Sequence, residues 1–203
     1  MPRVKTDIRE QARENVRQAI LDATRELFAK DGLAGVSMRN VADRIGYTPR
    51  TIYLHFSDKD DLLSELIEED VGRLADRLEA AAARETDPDR RVNAVAFEYV
   101  RFGVENPHAY EAIFLRRRHP FSREAAKLKR HVQGQRMLDV FSSVVQESES
   151  VAQGVDFHVV SQSLRCALHG VTSLLVLGRT LPGVKWEAVV THLVAGVVGK
   201  ALA

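Results

Sequence analysis

Arg50, Thr51, Tyr53 and His55 crowd a guanidinium, a hydroxyl, a phenol and an imidazole into one short segment, TPRTIYLHF. Groups of these types at this spacing suit the reading of a nucleic acid. The guanidinium can bond the edge of a guanine bidentately, and the Thr hydroxyl or methyl can touch a base or a thymine methyl. The phenol and the imidazole can donate to phosphate oxygens. Ser37 and Arg39, just upstream, and Lys59, just downstream, add a hydroxyl and two cations to the same stretch. A second constellation, Cys166 and His169, lies three residues apart and can be drawn as a thiol–imidazole dyad or half a metal site. That alternative finds no support elsewhere. The chain has no Gly-x-Ser-x-Gly elbow, no HExxH, no P-loop and no paired cysteines, and Cys and His at that spacing on an apolar helix usually pack. The reading is not an enzyme, with no metal site and no cofactor.

The elements that must position Arg50 and its neighbours follow from periodicity. Met38, Val41, Ala42 and Ile45 place one apolar stripe on a short helix. Gly46 ends it, since glycine takes φ > 0 without steric cost. A second helix must begin almost at once. Thr48 is a suitable N-cap hydroxyl, and Pro49 fits the first helical position, where a missing N–H has no partner to lose. Ile52 and Phe56, four apart, point inward, which turns Arg50, Thr51, Tyr53 and His55 outward. Ser57-x-x-Asp60 reads as a capping box opening the next helix, with Lys59 beside its exposed N–H groups, an arrangement that favours an anion.

This stretch resembles the tetracycline-repressor-like (TetR) transcriptional regulators. The resemblance starts with AILDATRELFAKDGLAGVS, Ala19 to Ser37, and continues through Ser-Asp-Lys-Asp-Asp-Leu-Leu. An ordered set carries it: Leu27-Phe28, Gly32, Val36-Ser37, Val41-Ala42, Gly46, Tyr53, His55-Phe56, Lys59 and Leu62-Leu63. It implies that the helix from Pro49 to His55 enters the major groove of double-stranded DNA. Thr48, Pro49, Arg50, Thr51, Tyr53, His55 and Lys59 would then form the DNA-binding set together with Ser37 and Arg39. It also implies a sequence-specific regulator, most simply a homodimeric repressor released from a palindromic operator by a small ligand. A ligand-independent regulator or an activator would use the same head.

The net charge of the 203-residue chain is only +1. That balance does not argue against DNA, because a local basic patch supplies the counterion-release contribution. Arg3 and Lys5 read as a short charged terminus. The single cysteine excludes an internal disulfide and gives no sign of an oxidising compartment. The apolar stretches Cys166 to Gly178 and Ala188 to Gly199 look too short, and too interrupted by His, to cross a bilayer. The expectation is a cytoplasmic protein with no membrane partner.

Beyond the head, helix follows helix. One should run from Asp58 to about Arg84. Asp87-Pro88 and Asn106-Pro107 open two more, Ser122 to about Ser148 is a further amphipathic helix, and Leu181-Pro182-Gly183 separates the last two. The segment Gln146 to Gly154 reads as a frayed helix end and loop, and Arg116-Arg117-Arg118-His119 as a solvated loop. No strand alternation is present, so the fold expected is all-α. A three-helix helix-turn-helix domain over residues 1–57 would join a bundle of about six helices over 58–203.

The last two helices carry apolar residues over too wide an arc for a monomer surface. Phe157, Val160, Leu164, Leu168, Val171 and Leu175 form one stripe; Trp186, Val190, Leu193 and Val197 form another, widened by Val189, Val194 and Val198. Gly170, Ser173, Gly196 and Gly199 would allow close approach. In the TetR family these helices pair with their copies, so a homodimer through about 156–179 and 185–202 is expected. Leu168-His169-Gly170, with Leu174-Leu175 and Gly178-Arg179, further resembles a C-terminal domain type of that family named for Trp, His and Gly. The Trp is missing, and Arg165 or a neighbour stands where it would be sought. Tyr99, Phe102, Tyr110, Phe114, Phe141, Arg165 and His169 supply an apolar, aromatic lining with a few polar groups, the materials of an effector pocket in a helical bundle.

Overall fold

The computed structural model describes residues 3–115, 124–151, 155–180 and 182–199. The described residues are helical, with no strand among them. The head comprises α1 (Arg3–Gly35), α2 (Met38–Ile45) and α3 (Pro49–Tyr53). The long α4 (Lys59–Ala83) is followed by α5 (Pro88–Glu105), the short α6 (Pro107–Tyr110) with a π-helical turn over Glu111–Leu115, α7 (Glu124–Glu147), α8 (Phe157–Val176) and α9 (Trp186–Val198). The basic run Arg116–His119 lies outside the described residues.

Local chemistry explains the boundaries. α1 is helical from Arg3, so Arg3 and Lys5 belong to a helix rather than a loose terminus, and it bends at Gly32 (φ 62°). Ser37 Oγ caps α2 by accepting from Asn40 N at 3.0 Å. Gly46, at φ 73°, closes α2 by donating its N–H to the Ala42 carbonyl. Pro49 takes the first position of α3 as expected. Thr48 occupies the N-cap, yet its hydroxyl makes no cap bond and lies 3.1 Å from Thr51 Oγ1 instead.

The capping box of α4 is shifted by one residue from the Ser57–Asp60 pair expected. Asp58 Oδ1 accepts from Asp61 N at 2.8 Å, and Asp61 Oδ2 reaches back to Ser57 N at 2.8 Å. Asp58 wins because an ionised carboxylate is a stronger acceptor for orphan N–H groups than a hydroxyl. Asp87 caps α5 as expected, accepting from Arg90 N at 2.8 Å. Asn106 precedes Pro107, but its amide turns back to the Phe102 carbonyl at 3.0 Å rather than capping α6.

The chain divides into two compact units, with one change-over inside α4 between Glu69 and Asp70 and another inside α7 between Lys127 and Leu128. The first has a core of Ile20, Leu21, Phe28, Val36, Val41, Ala42, Ile52, Phe56, Leu62 and Leu66. Within it Arg17 pairs with Glu65 and sits over the Phe56 ring, 5.5 Å from its centroid, and Arg25 pairs with Glu69 at 2.9 Å. These contacts fasten α1 to the start of α4.

The second unit holds a larger core, in which α8 packs on α9 and α5. By length and composition alone α8 is apolar enough to cross a membrane, a test that the core helix of a soluble protein also passes. Here Val160, Leu164 and Leu168 are instead buried in a helical core. On α9 the buried line is Val190, Val194 and Val198; Trp186, Val189, Leu193 and Val197 flank it half-buried. The serine-rich stretch after α7 is more tightly held than a frayed end. Ser148 Oγ and Ser150 Oγ donate to the two oxygens of Asp89, each at 2.6 Å.

Candidate functional site

The burial pattern of α3 sorts its side chains. Ile52 and Phe56 are 0% and 3% exposed, whereas Tyr53 is 56% exposed and Pro49 and Arg50 are exposed. Thr51 is half-buried beside Thr48. On α2, Arg39 extends into solvent, its Nε 3.9 Å from the Asp43 carboxylate. Ser37 Oγ is engaged as an acceptor at the cap, which leaves its own proton available to a phosphate oxygen. Ser37, Arg39, Thr48, Pro49, Arg50, Thr51 and Tyr53 therefore stand on two short helices and the turn that joins them.

Two predicted residues sit differently. His55 does not project freely; it is half-buried against α1 and lines a groove with Glu10, Gln11, Arg13, Glu14 and Arg17. Burial, with the charges of Arg13 and Arg17, lowers its pKa, so it is neutral at pH 7 and offers an N–H rather than a cation. Lys59 Nζ donates to the Leu33 carbonyl at 2.8 Å, bracing the end of α1. An ammonium has three protons, and that bond uses one.

Two exposed residues escaped the sequence reading. Tyr47, 46% exposed in the turn between α2 and α3, offers a further phenol. Leu54, at the end of α3, is 69% exposed, an unusual position for a large apolar side chain. An aromatic directly after the turn glycine was the available signal for Tyr47; Leu54 gave none, since the helical pattern treats a Leu as core.

In the second unit the expected aromatic residues meet. Tyr110 packs at 4.8 Å from Phe114 and 6.1 Å from Tyr99, measured between ring centroids, and Phe141 lies 5.7 Å from Tyr99. His169 stacks on Tyr110 at 5.8 Å and meets Phe114 at 5.7 Å. Tyr99, Tyr110 and Phe141 are buried; Phe114, Arg165 and His169 are half-buried at the edge. Burial raises the pKa of both tyrosines. Burial, and then the Arg165 charge, lowers that of His169. Phe102 belongs elsewhere: it is buried beneath the Arg77 guanidinium, 5.6 Å from its ring centroid, and Arg77 in turn binds Glu98 and Glu105.

Cys166 and His169 form no dyad. Cys166 is exposed and accepts from Gln162 Nε2 at 3.4 Å, while His169 Nδ1 lies 2.6 Å from the Tyr110 hydroxyl. Cys166 belongs instead to an exposed face of α8 with Val159, Gly170, Leu174 and Leu177. A Cβ added at Gly170, or at Gly196 on α9, would meet nothing within 4 Å.

Residues 20–66 match the bacterial regulatory proteins of the tetR family, and residues 92–197 match the tetracyclin repressor-like C-terminal domain. An uncharacterized HTH-type transcriptional regulator of Bacillus subtilis, YobS, is 24% identical over 156 residues, 77% of this chain and 76% of YobS. The HTH-type transcriptional regulator AcrR of Shigella flexneri is 40% identical over 81 residues, 38% of this chain and 37% of AcrR. Among solved structures, that of the transcriptional regulator FadR from Bacillus subtilis in complex with stearoyl-CoA is similar in fold. Its TM-score is 0.71 at 18% identity, over 92% of this chain and 99% of that one.

Proposed function

The chain belongs to the tetR family of bacterial regulatory proteins and is a DNA-binding transcriptional regulator, not an enzyme; from that premise we propose that it is a homodimeric repressor released from a palindromic operator by a small, mostly apolar effector. One observation carries the reading: on α3, Arg50 and Tyr53 face solvent while Ile52 and Phe56 anchor the helix in the head core. A helix held so firmly by one face can present the other to the major groove without adjusting. Ser37, Arg39 and Tyr47 would take phosphates on one side, and Lys59 on the other. Arg50 and Thr51 would read bases, and His55, being neutral and turned toward α1, would add at most one phosphate bond.

Dimerisation through α8 and α9 is supported by the exposed stripe of Val159, Cys166, Gly170, Leu174 and Leu177. Small residues on an exposed helix face let a second helix approach closely, and an isologous pairing would match a two-fold operator. The effector would bind at the aromatic cluster around Tyr110. It can relieve repression only by binding better to the state whose heads are badly spaced for two successive major grooves. The stearoyl-CoA held by FadR is one instance of an amphipathic ligand in this fold. The protein would work in the cytoplasm, where its operator lies.

The experiment is selection of bound fragments from random and genomic DNA by the purified protein, followed by titration at two salt concentrations. A short palindrome, bound tightly and with a steep salt dependence, supports the reading. Recovery of unrelated sequences overturns it.

A further inference from the structure

Arg165, His169 and Ser173 follow one another at intervals of four along α8, so they lie on one side of the helix. The three groups share an unusual state: each has unused capacity toward a partner. Arg165 is half-buried, yet among the described residues it forms no ion pair, and its hydrogen bond goes to the neutral Gln162 amide at 2.9 Å. A guanidinium has five N–H donors, and a half-buried one without a carboxylate is uncommon. Burial lowers its pKa, against smaller opposing effects of Tyr99 and Cys166, and no carboxylate among the described residues is paired with it. On α5, Glu98 is committed to Arg77 and Arg101, and Glu105 to Arg77.

His169 is held by its Nδ1, 2.6 Å from the Tyr110 hydroxyl. If the phenol donates to Nδ1, the imidazole proton sits on Nε2 and a donor remains on the far side of the ring. Ser173 Oγ is buried close to the Tyr110 hydroxyl, in a geometry that falls short of a well-formed hydrogen bond.

Of these groups His169 adjoins the half-buried ring of Phe114, 5.7 Å between ring centroids, which stands on a π-helical turn. Such turns are rare and recur at functional sites. Donors and a cation without an anion, beside an aromatic wall, define a ligand by its complement. We propose that the effector is an organic acid, an aromatic or other flat apolar body bearing a carboxylate, with the carboxylate on Arg165 and His169 Nε2–H and the body against Phe114. This deepens the proposed function and rests on its placing the effector in the second unit. Arg165 would supply a bidentate, charge-assisted pair that a neutral analogue cannot form. Ser173 would serve as a second donor.

The test uses the full-length protein, 4-phenylbutyrate and its neutral amide, with calorimetry and thermal shift as readouts. The acid should bind about tenfold or more tightly than the amide. Arg165→Gln should abolish that preference while leaving the melting temperature of the free protein close to wild type. Phe114→Leu should weaken both compounds and preserve the preference. Equal binding of acid and amide, survival of the preference in Arg165→Gln, or no saturable binding across a series of arylalkanoates and alkanoates would each overturn the inference. Operator release is read in parallel. An acid that binds through Arg165 without releasing operator would leave this site standing and remove the proposed induction mechanism. A neutral compound that releases operator independently of Arg165 would do the reverse.

Discussion

The Tyr110 hydroxyl lies 2.6 Å from His169 Nδ1 and 3.3 Å from the His169 carbonyl oxygen, so one residue of α8 receives a phenol of α6 with both its side chain and its backbone. The pair sits in the buried aromatic cluster, where a hydrogen bond is electrostatically stronger and an unmade one more unfavourable. Tyr110 thus fixes the ring plane of His169.

Tyr110→Phe keeps the ring contacts and removes this bond, leaving His169 Nδ1 unpaired. The expected loss is about 1–3 kcal/mol in urea unfolding. In a double-mutant cycle with His169→Gln the two losses should fall well short of additive. Full additivity would mean that the bond contributes nothing.

Arg50→Ala should weaken binding at the best site by about 1–3 kcal/mol and relax a single operator position. Competition titrations with every single-base variant of the selected site read this directly. A uniform loss across all variants would make Arg50 a phosphate contact instead.

α5 and α8 cross closely at Gly103, where an added Cβ would stand 2.2 Å from Thr172 Cγ2 and 3.0 Å from Tyr110 Cδ2. Gly103→Ala should cost about 1–3 kcal/mol by overpacking. Adding Thr172→Ser removes the clashing methyl and keeps the hydroxyl that bonds the Leu168 carbonyl, so it should restore part of the loss. Thermal melts of the two variants settle the matter.

Hydrogen bonds from Ser148 and Ser150 lower the pKa of Asp89. In the unfolded chain the carboxyl titrates near its ordinary value of about 4. A depressed folded pKa means that the unfolded state takes up the proton first, so the stabilisation is present above that pH and is lost as pH falls through the folded value. Wild type should therefore exceed Asp89→Asn in stability by a constant margin above about pH 5, and the margin should shrink in more acidic solution. An unchanging margin down to pH 2 would dismiss the linkage.

Leu174 is 48% exposed on the outer face of α8. Leu174→Glu should leave the helical signal unchanged and shift the sedimentation coefficient from dimer to monomer, with operator affinity falling in parallel. A dimer that survives the change would put the interface on another surface.

Much of the fold was legible before any coordinates. Gly46, Pro49, Ile52 and Phe56 specify α2, the turn and α3 by themselves, because a positive φ, a missing N–H and a four-residue apolar spacing are local requirements that each residue type meets alone. Asp87-Pro88 marked α5 for the same reason. Competition between caps was less legible: Ser57 and Asp58 are both acceptable before α4, and only the geometry of Asp61 selects the carboxylate.

The candidate sites divide along the same line. The sequence by itself determined that Arg50 and Tyr53 face away from the head core, since helical periodicity settles that within a few residues. Tertiary structure alone decided that His55 turns toward Arg13 and Arg17, that Lys59 reaches the Leu33 carbonyl, and that Phe102 leaves the aromatic cluster for Arg77. It alone separated Cys166 from His169 and joined Tyr110 to His169 across 59 positions of sequence. The physical reason is range. Caps, turns and apolar stripes are encoded by residues a few positions apart, whereas partners for a buried imidazole or an unpaired guanidinium come from other helices, and their identity exists only once the helices have packed.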